Sequence, residues 1–414
     1  MEVNMTVSQK KTNGDGAAAK PLAGVRVLDL TQAYSGPFCT MHLADQGAEV
    51  IKIEMPGIGD QTRSWEPMEG QASGYFSYIN RNKLGMTLNL KSPEGAEIFK
   101  DLVKAADVVC ENFRPGTMEK LGLGYDVLKE LNPRLIYASI SGFGLEGPEA
   151  SLPCYDVVAQ AMGGMMSMTG PENGEIVKVG PAIADNYSGT YLSLGVVMAL
   201  FQRERTGLGR RLDISMVDTV FSILETGVVQ YTIQGVVAKP EGNRDPVIAP
   251  FDAFRAKDGM FVMACGTNKF WQALCEAMGE PGLAEDPRFI TNSARVEHYI
   301  PTLKNIIESW STKLPLDQLE EKIRSAGVPF GRIQNMQQAC DSELIRRRNM
   351  LWQIYDPAFG REISFPGTPL KMHGCQDAPE RPAPLLGQHN EEILSGLLHK
   401  DQAEIDRLKA EKVI

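Results

Sequence analysis

The chain reads as an α/β protein: a mainly parallel sheet covered by helices, followed by a smaller α+β domain. Short apolar strands and amphipathic helices alternate from Pro21 to about residue 216. Such alternation implies parallel strands with helices packed on them. A polar, proline-containing connection, KPEGNRDPVIAP at 239–250, then breaks the pattern, and helical segments dominate beyond it. The length of 414 residues suits two domains, and 43% hydrophobic residues supply a substantial core.

The elements follow in order. VRVLDLT (25–31) is a short apolar strand. The next segment, SGPF, opens a helix, with Ser35 as cap and Pro37 in the first turn. AEVIKIE (48–54) and GMTLNL (85–90) are the next strands. Ser92 caps a helix that has Pro93 in its first turn and Ile98, Leu102, Val103 and Ala106 on one face. DVVCE (107–111), RLIYASIS (134–141) and RLDISM (211–216) continue the series, and an apolar helix spans about 217–229. In the second domain FVMAC (261–265) is a strand, and KFWQALCEAM, PTLKNIIESW and PLDQLEEKIRSAG are helical. The closing segment, DQAEIDRLKAEKVI, is a charged amphipathic helix.

Several function classes are excluded at this level. A formal charge of −10 makes the chain a poor nucleic-acid binder, because that affinity comes largely from neutralising phosphates. The seven cysteines are scattered, odd in number and form no CxxC pair, which argues against a zinc site or a disulfide framework. None of the five histidines, His42, His298, His373, His389 and His399, is paired at metal-ligand spacing. Residues 1–20 lack the apolar core of a signal peptide and read as a disordered tail. No run approaches the length of a membrane span. A cytoplasmic protein with no membrane partner is the expectation.

The first strand–helix unit invites a dinucleotide reading, with Glu54 where a ribose-binding acid would sit. Its turn, TQAYSGP, lacks GxGxxG, and without those glycines the backbone cannot approach a pyrophosphate. No Walker, HExxH or GxSxG motif occurs.

The segment VGPAIADNYSG (179–189) sets Asp185 at the start of an apolar helix, TYLSLGVVMALF. A carboxylate there can attack an activated acyl group and form an anhydride. The competing reading is that Asp185 only caps the helix. ENFRPGTMEKLG (111–122) follows a strand directly, so Asn112, Arg114 and Lys120 fall at the carboxyl edge of the sheet, where open α/β folds bind ligands. Arg and Lys there suit phosphate groups. The competing reading is a solvated basic turn.

Ordered blocks then accumulate: PLAGVRVLDLT, VIKIE with GDQTR, NRNKLGMTLNLKSPEG, ENFRPGTMEKLG, SISGFGLEGP, YDVVAQAMGG, ADNYSG, TGLGRRLDISM and RPAPLLGQHNEEIL. Together they resemble the family III coenzyme A transferases, the family of formyl-CoA transferase and carnitine CoA-transferase. The resemblance implies that Asp185 is the nucleophile and that Leu88, Asn89, Leu90, Lys91, Asn112, Phe113, Arg114 and Lys120 contact coenzyme A. It implies a Rossmann-like large domain, residues 21–225 and 345–414, around a small α+β domain at 226–344, in an interlocked homodimer. The substrates are then an acyl-CoA, with succinyl-CoA or acetyl-CoA as donor, and a small carboxylic acid, with no cofactor. Backbone N–H groups near Asp185 and in AMGGMM (161–166) are candidates to hold the oxyanions.

The chain departs from the formyl-CoA transferases, which carry Gln where it has Tyr34 and Arg where it has Met55. Their glycine-rich loop has no counterpart between 240 and 275. These departures concern the acid substrates rather than the chemistry. The related α-methylacyl-CoA racemases use a His–Asp pair, and here Tyr155 stands at the His position. A phenol, with an ordinary pKa of about 10, makes a poor second base near neutrality. A transferase is therefore preferred over a racemase, and over a silent CoA-binding protein because Asp185 and its motif are retained.

Overall fold

The structure is a computed structural model that describes residues 19–414. Residues 1–18, most of the expected tail, lie outside the described residues. The chain forms two compact units. The first comprises residues up to Met165, Val179–Glu225 and Glu343–Ile414, and the second comprises Met166–Lys178 and Thr226–Ser342.

Six parallel strands build the first unit: β1 (Arg26–Asp29), β2 (Glu49–Glu54), β3 (Lys83–Thr87), β4 (Val108–Glu111), β5 (Ile136–Ser141) and β6 (Arg211–Ser215). Their order is β3-β2-β1-β4-β5-β6, with every neighbouring pair parallel. This is the doubly wound order, whose direction reverses between β1 and β4 and leaves a ligand crevice at their carboxyl ends.

Side chains alternate between the faces, as strand geometry requires. Val27, Val50, Val108 and Ile136 pack on α1 (Ser35–Asp45) and on the long helix α6 (Ile183–Thr206). Leu28, Ile51, Val109 and Tyr137 face α3 (Pro93–Lys104) and the carboxyl-terminal helices α12 (Asn390–Leu398) and α13 (Gln402–Ala410). Shorter helices in this part include α2 (Gly74–Ile79), α4 (Tyr125–Leu131), α5 (Asp156–Met162) and α7 (Met216–Ser222). A turn, Ile223–Glu225, breaks the apolar helix expected over 217–229, and helix α8 resumes at Thr226–Gln234 in the second unit.

Residues near the carboxyl terminus close the sheet. Gly85 of β3 donates its N–H to His389 Nδ1 (2.9 Å) and accepts from the His389 N–H (2.8 Å). The Thr87 N–H donates to Asn390 Oδ1 (2.8 Å). Burial holds His389 below its ordinary pKa, which keeps the ring neutral and Nδ1 free to accept.

The second unit has a three-stranded antiparallel sheet of β7 (Phe251–Arg255), β8 (Met260–Ala264) and β9 (Phe330–Arg332) in the order β9-β8-β7. Helices α9 (Asn268–Met278), α10 (Lys304–Ser311) and α11 (Leu316–Ser325) cover it around Phe254, Phe261 and Trp271. The sequence reading keeps residues 166–178 with the large domain, but they belong to this unit. The Gly242 N–H donates to the Gly170 carbonyl (2.9 Å), and Arg244 pairs with Glu172 (3.3 Å).

Candidate active site

Asp185 occupies the first turn of α6, two residues past its first residue. It does not cap the helix: the cap position is Ala182, which has no side-chain bond to offer. The cap comes from another element. Asp156, at the start of α5, accepts the Ala184 N–H on Oδ1 (2.8 Å) and the Gln160 side-chain N–H on Oδ2 (2.6 Å). Gln160 in turn accepts the Val179 N–H (2.9 Å). The capping-only reading of Asp185 gives way, because a second carboxylate does that work and leaves Asp185 free. Asp156 is a candidate site residue that the sequence reading missed. Its only signal is the Asp–Gln pair at i, i+4 in YDVVAQ.

Asp185 is half-buried. Burial pushes its pKa up to about 7; the nearby Asp156 charge adds to this, and the nearby Ser35 hydroxyl works against it. The sequence reading made Ser35 a helix cap. Instead Tyr34 takes the cap position without a side-chain bond, and the Ser35 hydroxyl serves Asp185. The helices meet at a glycine. A Cβ on Gly189 would lie 2.6 Å from the Ser35 carbonyl and 3.1 Å from the Cys39 nitrogen, so only glycine permits this approach of α6 to α1.

An aromatic cluster flanks the carboxylate. Tyr34 stacks on Phe38 (5.3 Å between centroids) and meets Tyr75 (5.5 Å), which abuts Trp65 (5.3 Å). The Tyr34 hydroxyl donates to Asn186 Oδ1 (2.8 Å). Burial raises the pKa of both Tyr34 and Tyr75, and the Asp185 charge contributes to each, so both remain neutral phenols. Cys154 is pushed up to about 11 by burial and by Asp185, and stays a thiol. Met55 is half-buried in the turn after β2.

The residues implied to contact coenzyme A divide into exposed and anchored sets. Arg114, Lys120 and Lys91 are exposed. Arg114 lines a cavity of about 270 Å³ together with Glu111, Glu119 and Arg211; burial pushes Glu111 up to about 7. Asn112 spans the reversal point of the sheet: its side chain accepts the Gln32 N–H (2.8 Å) and donates to the Gln32 carbonyl (2.8 Å), tying the loop after β4 to that after β1. Phe113 packs on the core and donates its N–H to Glu111 (2.9 Å). Leu88 and Leu90 are buried in the core, so their side chains offer a ligand no surface. The Leu88 N–H goes to the Glu54 carbonyl and the Asn89 N–H to the Val413 carbonyl, each 2.8 Å. This stretch is anchored so as to present Lys91. Within the 161–166 segment suggested for the oxyanions, the N–H groups of Gly163 and Gly164 donate to the carbonyls of Ala159 (2.8 Å) and Ala161 (3.3 Å) at the end of α5. Glu54, the ribose-binding candidate, is held by Arg63 through two bonds (2.9 and 2.7 Å). Among the described residues, no group of three or more His, Cys, Asp or Glu is placed to hold a metal ion.

The sequence profile described as CoA-transferase family III matches residues 22–390. The chain belongs to CoA-transferase family III. It is 42% identical over 370 residues to the acetyl-CoA:oxalate CoA-transferase of Acetobacter aceti, covering 89% of this chain and 93% of that one. It is 37% identical over 396 residues to the human succinyl-CoA:glutarate CoA-transferase, covering 95% and 90%. A CAIB/BAIF family protein from Brucella suis has a similar structure, with a TM-score of 0.81 and 36% identity over 92% of this chain and 100% of that one. This CoA-transferase carries Tyr155, in place of a racemase histidine, as a phenol that is 65% exposed. No helix among the described residues is long and apolar enough to cross a membrane.

Two outcomes follow from this geometry. Asp156→Asn keeps an acceptor for the Ala184 N–H but removes a charge beside Asp185. The acid limb of kcat/KM, expected near pH 7 in the native enzyme, should move to lower pH; an unmoved limb would show that the Asp156 charge does not reach Asp185. Gly189→Ala should separate Ser35 and Tyr34 from Asp185, at a cost of about 1–3 kcal/mol for overpacking. Turnover should fall roughly tenfold, by analogy with small misplacements of reacting groups, and calorimetric titration with CoA should show little change.

Proposed function

We propose that Asp185 is the nucleophile for transfer of coenzyme A between carboxylic acids. The observation that carries this is a half-buried carboxylate whose helix is capped by a different side chain and whose own capping role is thereby removed. The Asp185 carboxylate attacks the donor thioester carbonyl and CoA leaves as the thiolate, giving an aspartyl–acyl anhydride. The thiolate then attacks the aspartyl carbonyl, forming an aspartyl–CoA thioester and releasing the donor acid. The acceptor carboxylate attacks that thioester, regenerating the thiolate and a new anhydride. Attack of the thiolate on the acceptor carbonyl yields the product acyl-CoA and restores Asp185. The sequence balances with the two substrates alone and needs no cofactor. Raising the Asp185 pKa toward neutrality makes a more basic and therefore more nucleophilic carboxylate, active above its pKa where it is ionised. Arg114, Lys120 and Lys91 are the proposed phosphate-binding groups. Given its relatives, a succinyl-CoA or acetyl-CoA donor and a small carboxylic acid acceptor are proposed.

Asp185→Asn should abolish transfer and remove the hydroxylamine-trappable acyl group that forms on mixing with acyl-CoA. Normal turnover would end the assignment. The same variant should melt higher than the native protein at pH 8. A folded-state pKa raised to about 7 from 3.8 means that the group's contribution is complete below 3.8 and is lost as pH rises through 7. The neutral amide avoids that loss, so its advantage should vanish near pH 4.

Arg114→Ala and Lys120→Ala should raise KM for acyl-CoA severalfold with little change in kcat, the signature of binding shared by ground and transition states. Added salt should shrink the difference. Unchanged KM in both variants would remove this loop from the coenzyme site.

The proposed assembly is an interlocked homodimer. Supporting it, α6 carries an exposed apolar stripe, Tyr187, Tyr191, Leu194, Met198 and Phe201, at alternating spacings of four and three. That spacing is a seam for another helical surface. Sedimentation at nanomolar concentration should show only dimer, since interlocked chains part only on unfolding. Folded monomer in exchange with dimer would refute the interlocking.

A further inference from the structure

A second cavity in the first unit, of about 440 Å³, is lined by Tyr78 and by Tyr75, a member of the aromatic cluster beside Asp185. Its volume falls within the range of about 300–1,000 Å³ usual for small-ligand sites. The opposite wall is a hairpin of β10 (Leu351–Asp356) and β11 (Arg361–Pro366). Alternation along β11 puts Arg361, Ile363 and Phe365 on one face, and all three line the cavity with Phe359.

The inner wall is preformed. The buried Arg81 guanidinium lies 5.3 Å from the Tyr78 ring and 5.0 Å from the Phe365 ring, and Asp45 fixes it through two bonds (3.1 and 2.7 Å). At the rim the Arg361 guanidinium lies 5.8 Å from the Phe359 ring and is bound by both oxygens of Glu69 (3.2 and 2.6 Å). Both partners are more than half exposed, so solvent screens the pair. A ligand carboxylate can therefore displace Glu69 cheaply and take the bidentate face of the guanidinium.

We propose that this cavity binds a carboxylic acid with a flat aryl body, its carboxylate on Arg361 and its ring among Tyr75, Tyr78, Phe359 and Phe365. The transferase reading explains why such acids would be present; the binding itself does not depend on the nucleophile. The site holds the acid against Tyr75.

The test is calorimetric titration of phenylacetate into the Asp185→Ala variant, in which no transfer chemistry is expected. Saturable one-to-one binding is expected. Adding Arg361→Gln should weaken it at least tenfold, and adding Glu69→Gln should tighten it severalfold by freeing the guanidinium. Ile363→Trp should fill the cavity and abolish binding. Phenylacetamide should bind equally with and without Arg361→Gln. Absence of saturable phenylacetate binding, or equal affinity with and without Arg361→Gln, overturns the proposal. Circular dichroism monitors folding; if Ile363→Trp does not fold, the opposite shifts in the Arg361 and Glu69 variants decide the matter. Residual transfer by Asp185→Ala would overturn the nucleophile assignment and leave these binding results standing.

Discussion

Three charged side chains without access to water, Asp29 at the carboxyl end of β1, Lys52 within β2 and Lys83 at the start of β3, tie the first three strands to the turn that leads into α1. Lys83 binds Asp29 (2.9 Å) and also the Pro37 carbonyl (3.1 Å). Lys52 binds Asp60 (2.9 Å) and the Thr31 carbonyl (2.8 Å). Burying such charges is costly unless every one is paired. Burial pushes the Asp29 carboxyl up, but Lys83 and Lys52 more than reverse that and hold it below its ordinary value. Burial draws Lys83 down to about 8 against the pull of Asp29. Asp60 also accepts the Ala33 N–H (3.3 Å), at a residue whose φ of 61° is unfavourable for alanine. The strained turn is over-determined by these ionic groups, and it delivers Tyr34 and Ser35 to Asp185.

The candidate nucleophile therefore depends on contacts made by three other elements. From α1 comes Ser35, which favours the ionised form, and Phe38 joins Tyr34 and Tyr75 of α2 in the aromatic cluster. From α5 comes Asp156, which secures the backbone next to Asp185 while opposing its ionisation. Close approach of the two carboxylates is unfavourable in itself. It is tolerated because Asp156 has other donors, Gln160 and the Ala184 N–H, to satisfy it. A site that holds a reactive group at the expense of its own stability is the usual balance between activity and fold.

Much of the first unit was legible in the sequence. Ser92 caps α3 through the Gly95 N–H (3.0 Å), and Pro93 follows in the first turn, as local chemistry alone predicts. The alternation of strand and helix identified the parallel sheet for the same reason: period and capping are local properties. Ser35 misled because its partner lies on a helix about 150 residues away, and a cap and a tertiary donor look alike in one dimension. Asp156 was missed because its one local signal, the pairing with Gln160, does not say which helix it caps: capping across elements has no fixed spacing. In AMGGMM the sequence does not tell which N–H groups are spent on closing α5, as those of Gly163 and Gly164 are. Leu88 and Leu90 show the reverse: their burial follows from strand alternation and the fold, while the resemblance had marked their stretch for the coenzyme.

The outer edge of the sheet is closed by residues separated from it by 304 and 303 positions, His389 from Gly85 and Asn390 from Thr87. Contacts of that separation delay folding, since a long loop must close before they contribute. Until they form, β3 is an open edge with unpaired backbone groups, a template for wrong pairing. The intervening second unit can collapse around its own core while the sheet still waits for its outer edge. The interval between making β3 and covering it is thus the period of greatest exposure to aggregation in the life of this chain.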